Sequence, residues 1–363
     1  MGGRVSRHLD DLARLGAELF HAAFPDVPAS AALRLRHFSS AGWHRMALVE
    51  HGGDRRHRLL LKALWAERGA DADAARQARM MATEYRLLAE VAPRISEADP
   101  ALGCPRALAY RATPGVLALE VVDGPMLSTV LFGIGRQPEA RRARRLLEQC
   151  GEWLARFHAL TRTGEAGNPL EWLHRELEHP GVLPVFRRHG DERLHAEVRD
   201  VAAGLVEAHR AMRVSTCTVH GVFAPYHVIV QGDGIRVIDL ESAHVGYPYL
   251  DLALFDAYAA FRPPWARALA SARLPLPEQR RAFLEGYARH AGPFGPPDRA
   301  GLGLARVHAL VRFALEWERV RRGTWLERAL RYAWWRRCLR RVWAEEAPAL
   351  RLAAGGAPAL ASR

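Results

Sequence analysis

TVHGVFAPYHVIVQGDGIRVIDLESAHVGYPYLDLALF, residues 218–255, is the stretch on which the reading of this chain turns. Apolar runs on either side of Gly232-Asp233-Gly234 predict a strand-turn-strand hairpin. That hairpin would bring the loop His220–His227 next to Asp239. Asp239 directly follows Val237 and Ile238, so its carboxylate is flanked by core residues. A buried carboxylate is costly unless paired or metal-bound, and this geometry sets a metal-binding carboxylate beside a functional loop.

Working outward, residues 6–23 carry helical apolar spacing that ends before Pro25. Three strand-like runs follow, Leu33–Phe38, Trp43–Glu50 and His57–Leu64, with turns at Ser39–Gly42 and Gly52–Asp54. A long helix is predicted over about Ala74–Val91. Two more strands, near Ala107–Tyr110 and Val116–Val122, are separated by Thr113-Pro114-Gly115, and the second runs into Asp123-Gly124-Pro125. From Glu139 the pattern is mainly helical, interrupted by a compact β segment at Thr218–Leu240. No internal repeat occurs, and residues after Pro348 read as a frayed tail. The expected division is an N-terminal helix (1–30), a first lobe (31–124), a second lobe (125–348) and a flexible tail (349–363).

The 363 residues, 49% of them hydrophobic, suffice for two cores and exclude a disordered chain. Cys104, Cys150, Cys217 and Cys338 are scattered without zinc or disulfide spacing, as expected in a reducing compartment. No signal peptide or membrane-spanning run is legible, so the expected location is the cytoplasm. The net charge of +12 sits mostly at the C-terminal end, where residues 252–363 hold 20 Arg against 9 Asp and Glu. Lys62 is the only lysine and Asn168 the only asparagine, a bias that points to a GC-rich bacterial genome. A lysine retained against that bias invites a chemical explanation.

The order His220-Gly221, then Asp239 and Glu241, then Gly246, Pro248, Asp251, Leu252 and Ala253 resembles the aminoglycoside phosphotransferase and choline kinase-like family. Its loop reads HGDxxxxN, its metal strand IDxE, and GxPxxDLA follows. The first lobe matches independently, with Lys62 in LLLKAL and Glu84 in TEYRLLAEV at the family's phosphate-holding lysine and its glutamate partner. The resemblance covers roughly residues 30–260. It implies an α+β, two-lobed protein kinase-like fold: a five-stranded antiparallel sheet plus helix, then a mainly helical second lobe. It also implies ATP (or GTP) and Mg2+, nucleotide contacts from Lys62, Glu84, Gly42 and the hinge around Glu120–Val122, and metal ligation by Asp239. His220 and Asp251 are expected to brace the loop.

Two family positions are altered. Val222 stands where the family carries its catalytic aspartate, and His227 where it carries a metal-binding asparagine. Valine cannot accept a proton, yet a general base typically contributes only about 10²–10⁴-fold, and phosphoryl transfer rests mostly on positioning and charge. His227 offers nitrogen to a metal that prefers oxygen. Two expectations follow: a phosphotransferase of impaired or unconventional activity toward a small-molecule, sugar or lipid-like hydroxyl, or a nucleotide-binding pseudokinase serving as regulator or scaffold. The basic C-terminal third favours a neutral or anionic acceptor over a polycationic aminoglycoside. The run between Arg321 and Arg341, with eight arginines and clustered tryptophans, reads either as a packed helix with outward-snorkelling arginines or as a peripheral membrane contact extending over 321–343. No nucleic-acid motif is present.

Overall fold

The computed structural model describes residues 14–39, 44–52, 54–64, 71–113, 115–133, 139–260, 274–320 and 324–355. Gly42, expected to touch nucleotide, and residues 6–13 of the expected first helix lie outside them. The chain divides into two compact units. One takes the described residues up to Pro125 together with His227–Ala243, and the other takes Met126–Tyr226 and the residues from His244 onward.

In the first unit, helix α1 (residues 14–23) precedes strands β1 (Leu33–Ser39), β2 (His44–His51) and β3 (Asp54–Leu64). Helix α2 (Asp71–Glu90) and the short α3 (Ala92–Ala98) follow. Strands β4 (Leu102–Gly103), β5 (Ala107–Arg111) and β6 (Val116–Glu120) complete the series. The main sheet has the order β1-β2-β3-β6-β5 and every pairing in it is antiparallel, as expected from the sequence.

Strand alternation decides what each face of β3 carries. Leu59, Leu61 and Ala63 point into a core made with Leu15, Leu19 and Phe20 of α1 and with Ala47, Val49, Val116 and Ala118. Lys62 therefore points to the opposite face, where it is buried. Helix α2 buries Met81, Glu84, Leu87 and Leu88, a spacing that sets all four on one helix face. Glu84 thus sits in the middle of an apolar stripe, where a carboxylate needs a partner.

The expected hairpin forms from strands Val228–Gln231 and Gly234–Val237. It belongs to the first unit because Gly234–Val237 also pairs in parallel with β4 and because the Val230 N–H donates to the carbonyl of Pro125 at 2.9 Å. Strand β6 stops at Glu120, two residues before the predicted end.

The second unit is built mostly of helices. These are α4 (Leu127–Phe132), α5 (Ala140–Leu160), α6 (Pro169–Leu177), α7 (Val182–Arg188) and α8 (Glu192–Ala208). After them come α9 (Tyr249–Ala260), α10 (Leu276–Ala291), α11 (Pro296–Val320) and α12 (Trp325–Ala353). Helices α5 and α10 touch backbone to backbone. A Cβ on Gly151 would lie 2.0 Å from the Phe283 carbonyl oxygen, and one on Gly286 the same distance from that of Glu148. Trp153, Phe223, Phe255 and Phe283 stack in one aromatic core.

A three-stranded antiparallel sheet, in which Val214–Val219 lies between Arg162–Gly167 and His244–Gly246, was only partly foreseen. Arg162–Gly167 reads RTGEAG, with no apolar alternation to announce a strand, because it is almost wholly exposed and is held by backbone pairing. Helix α12 begins with a Thr324–Glu327 capping box. It buries Trp335, whose indole N–H donates to the Leu310 carbonyl at 2.7 Å, while Arg336 and Arg340 clamp the buried Asp191 carboxylate. Trp325, Leu326 and Leu330 at its start stay exposed. The helix also runs past Pro348 to Ala353 with Leu350 buried, so residues 349–353 are helix rather than tail. Among the described residues no helix is long and apolar enough to cross a membrane.

Candidate active site

In the first unit three carboxylates converge on one ammonium. Lys62 Nζ donates to both Glu84 oxygens, at 3.1 and 2.9 Å, to Asp239 Oδ1, and lies 2.5 Å from Glu241 Oε2. β3 supplies the lysine, α2 the glutamate, and the turn after the hairpin the other two. Residues 240–242, a single 3-10 turn, carry Glu241 back toward the same point.

Among the described residues Asp239 is the one non-glycine residue at positive φ, 74° with ψ 48°. An L-residue adopts that left-handed conformation at a cost of about 1–3 kcal/mol, and such strain clusters at functional sites. The Ile238 N–H is anchored on the His227 carbonyl at 2.9 Å, and His227 Nε2 lies 3.2 Å from Asp239 Oδ2. One oxygen of Asp239 is therefore turned to the lysine and the other to the histidine.

Burial alone would raise the Asp239 carboxyl, but Lys62 and His227 outweigh it and hold it well below the usual carboxylate range. Glu84 shifts the other way, because its desolvation outweighs the pull of Lys62. Lys62 is held firmly protonated: its burial opposes the charge, and the three carboxylates more than offset that.

Asp239 and Glu241 offer hard oxygen donors of the kind magnesium takes, while His227 offers nitrogen. Among the described residues no cluster of three or more acidic, His or Cys side chains could by itself hold a metal ion. A Mg2+ ion is usually bound by one or two carboxylates together with substrate phosphates, and Asp239 with Glu241 fits that arrangement. Glu241, marked in the sequence only by the IDxE pattern, joins the cluster that Lys62 and Glu84 begin. Glu120, in the stretch whose backbone is expected at the hinge, accepts the N–H and Nε–H of Arg106 through its side chain.

In the second unit the loop after Val214–Val219 is held by Asp251. This fully buried carboxylate accepts the backbone N–H groups of His220 at 2.6 Å and Gly221 at 2.9 Å, with His158 Nε2 3.0 Å away. His220 and Asp251, the two residues expected to brace the loop, thus meet through the His220 backbone N–H. Gly221 has φ 84°, a conformation that glycine adopts at no steric cost. His158, on α5, was missed as a brace, because a histidine at a helix end carries no sign in the sequence of the carboxylate it will meet. Burial works to raise the Asp251 carboxyl, but His158 and His220 outweigh it, and the net shift is downward. Val222 follows the braced pair and is half-buried, an aliphatic side chain at the position where the resemblance leads one to expect an acid.

A family model described as the phosphotransferase enzyme family matches residues 35–283. No curated protein matches the chain. Among solved structures, a choline kinase from Cryptosporidium parvum Iowa II superposes with a TM-score of 0.56 at 11% identity, covering 95% of this chain and 100% of that one. The streptomycin-ATP-APH(2")-IIa ternary complex gives 0.52 at 11%, covering 96% and 98%. A macrolide 2'-phosphotransferase from Brachybacterium faecium gives 0.51 at 17%, covering 90% and 97%. At these identities the likeness establishes a shared kinase-like α+β fold.

Proposed function

The chain belongs to the phosphotransferase enzyme family, and from that premise we propose that it binds ATP or GTP with Mg2+ and transfers the terminal phosphoryl group to a hydroxyl of a small-molecule acceptor. The reading is carried by one observation, the buried Lys62–Glu84 pair with Asp239 on the same ammonium. Glu84 fixes the lysine so that its charge can meet nucleotide phosphates, and Asp239 with Glu241 would hold the magnesium. The ion, when bound, neutralises charge developing on the phosphate oxygens. Residues 31–124 together with the hairpin would form the nucleotide-binding lobe.

In the reaction the acceptor oxygen bonds to the γ-phosphorus as the bridge to the β-phosphate breaks. The nucleoside diphosphate leaves, and the hydroxyl proton passes to a phosphate oxygen or to water. Val222 can take no part in that proton transfer, so turnover is slow relative to a loop bearing an acid. A second reading rests on the same residue: if turnover is absent, the protein is a nucleotide-binding pseudokinase. We place the protein in the cytoplasm, and any peripheral membrane contact falls to the exposed first turns of α12. Calorimetric titration with ATP and Mg2+ of wild type and Lys62→Ala, followed by turnover with and without Val222→Asp, tests both readings. Binding with turnover supports the transferase, binding with turnover only in Val222→Asp supports the pseudokinase, and no binding by wild type removes both.

A further inference from the structure

The second unit contains a polar pocket of about 290 Å³ that the site above does not use. Trp172 and Glu176 on α6, His308, Arg312 and Glu316 on α11, and His244 line it. Its position follows from strand register. His244 pairs with Val219, the residue immediately before His220, so the pocket adjoins the strand that enters the braced loop, three residues before Val222.

The lining is unusual in mixing acceptors and donors at close quarters. Glu176 Oε2 lies 3.9 Å from His308 Nε2, and Glu316 lies 3.9 Å from the Arg312 guanidinium. His308 is buried and is met edge-on by Trp172, at 5.3 Å between ring centres. Burial lowers the His308 imidazole, which keeps it neutral, and that imidazole in turn is the main cause holding the Glu176 carboxyl below its usual range. A carboxylate only accepts hydrogen bonds, a guanidinium only donates, and a neutral imidazole does one of each. A hydroxyl group can satisfy all three. An anion would face two carboxylates that a single guanidinium offsets only in part, whereas a hydroxyl brings no charge into the pocket. Trp172 adds aromatic, apolar surface to the lining, and the volume lies just below the roughly 300–1,000 Å³ of small-molecule sites, enough for one ring.

We propose that this pocket binds a single neutral, hydroxyl-rich ring, a sugar or cyclic polyol, as the phosphoryl acceptor. Its role as acceptor rests on the phosphotransferase reading, whereas its binding of such a ring does not.

The test is saturation-transfer NMR and calorimetry on the full chain without nucleotide, using glucose, galactose and myo-inositol as probes, with glucose 6-phosphate and kanamycin as charged comparators. At least one neutral ring is expected to bind, in preference to both comparators. Trp172→Leu and Glu176→Gln should each weaken binding about tenfold, the scale of one lost aromatic or charge-assisted contact. Should Trp172→Leu fail to fold, Glu176→Gln, which keeps size and shape, carries the comparison. The proposal is overturned if none of the three neutral rings binds, if binding survives both substitutions, or if a charged comparator binds better. Ring binding in a protein that fails to bind ATP would remove the transferase reading and leave the pocket, and ATP binding without ring binding would do the reverse.

Discussion

Lys62 Nζ lies 3.1 and 2.9 Å from the two carboxylate oxygens of Glu84, closing a buried strand-to-helix pair that two further acids join. Lys62→Met removes the only cation among the residues named in that cluster. Leaving buried charge uncompensated costs about 3–5 kcal/mol, so the melting temperature should fall sharply. Loss of the charged contacts to phosphate, about 1.5–3 kcal/mol, should weaken ATP binding roughly ten- to hundredfold. Differential scanning calorimetry and ATP titration read the two effects separately.

Val222→Asp restores a proton acceptor on a loop already braced by Asp251. Turnover of ATP in the presence of an accepted alcohol should rise by about 10²–10⁴-fold, with ATP affinity unchanged. An increase of less than twofold would show that the loop acid is not what limits the chemistry.

Asp251→Asn keeps the shape of the brace but removes the charge that two backbone N–H groups and His158 share. A hydrogen bond to a charged group contributes about 1.5–3 kcal/mol, and urea unfolding should show a loss of that size. Hydrogen exchange at the His220 and Gly221 amides should quicken, whereas a substitution without local effect would leave those two amides protected.

Stability should decline in two steps as pH falls. His308 and His189 both have imidazoles lowered by burial, so the unfolded chain binds more protons than the folded one below about pH 6.5. Their contribution is complete above that pH and is lost as pH falls through their lower folded values. The carboxyls of Asp239 and Asp251 are also lowered; their contribution is present above about pH 4 and is lost below it. His308→Gln should flatten the melting-temperature profile just below about pH 6.5 and, because that imidazole is the main cause holding Glu176 down, should also soften the acid limb.

Much of the first unit was legible because strands and helices there alternate cleanly between apolar and polar positions. Five strands and α2 fall within a few residues of where the pattern put them, and the lone lysine was a chemical signal that survived a strong compositional bias. What the sequence could not show was convergence. Glu241 lies two residues from Asp239 in sequence, and only the 3-10 turn after a left-handed Asp239 brings both acids to one ammonium. His158 looked like any helix-end histidine until α9 presented Asp251 to it. The Arg162–Gly167 strand was hidden because backbone pairing holds an exposed segment that has no side-chain pattern, and the three-residue strand His244–Gly246 is too short to carry one.

Lys62 and Asp239 are 177 positions apart, and this separation bears on how the protein is made. On a chain emerging from the ribosome, Lys62 and Glu84 can meet early, while the hairpin that supplies the parallel partner of Leu102 and the turn after it that supplies Asp239 and Glu241 are synthesised only after the whole of residues 126–226. A chain released after Pro125 would hold a complete five-stranded sheet yet lack two of the acids that meet Lys62 and leave the β4 edge open. The first unit is therefore a unit of structure but not of biosynthesis, and its charge cluster becomes whole only once residues 126–226 of the second unit have been translated.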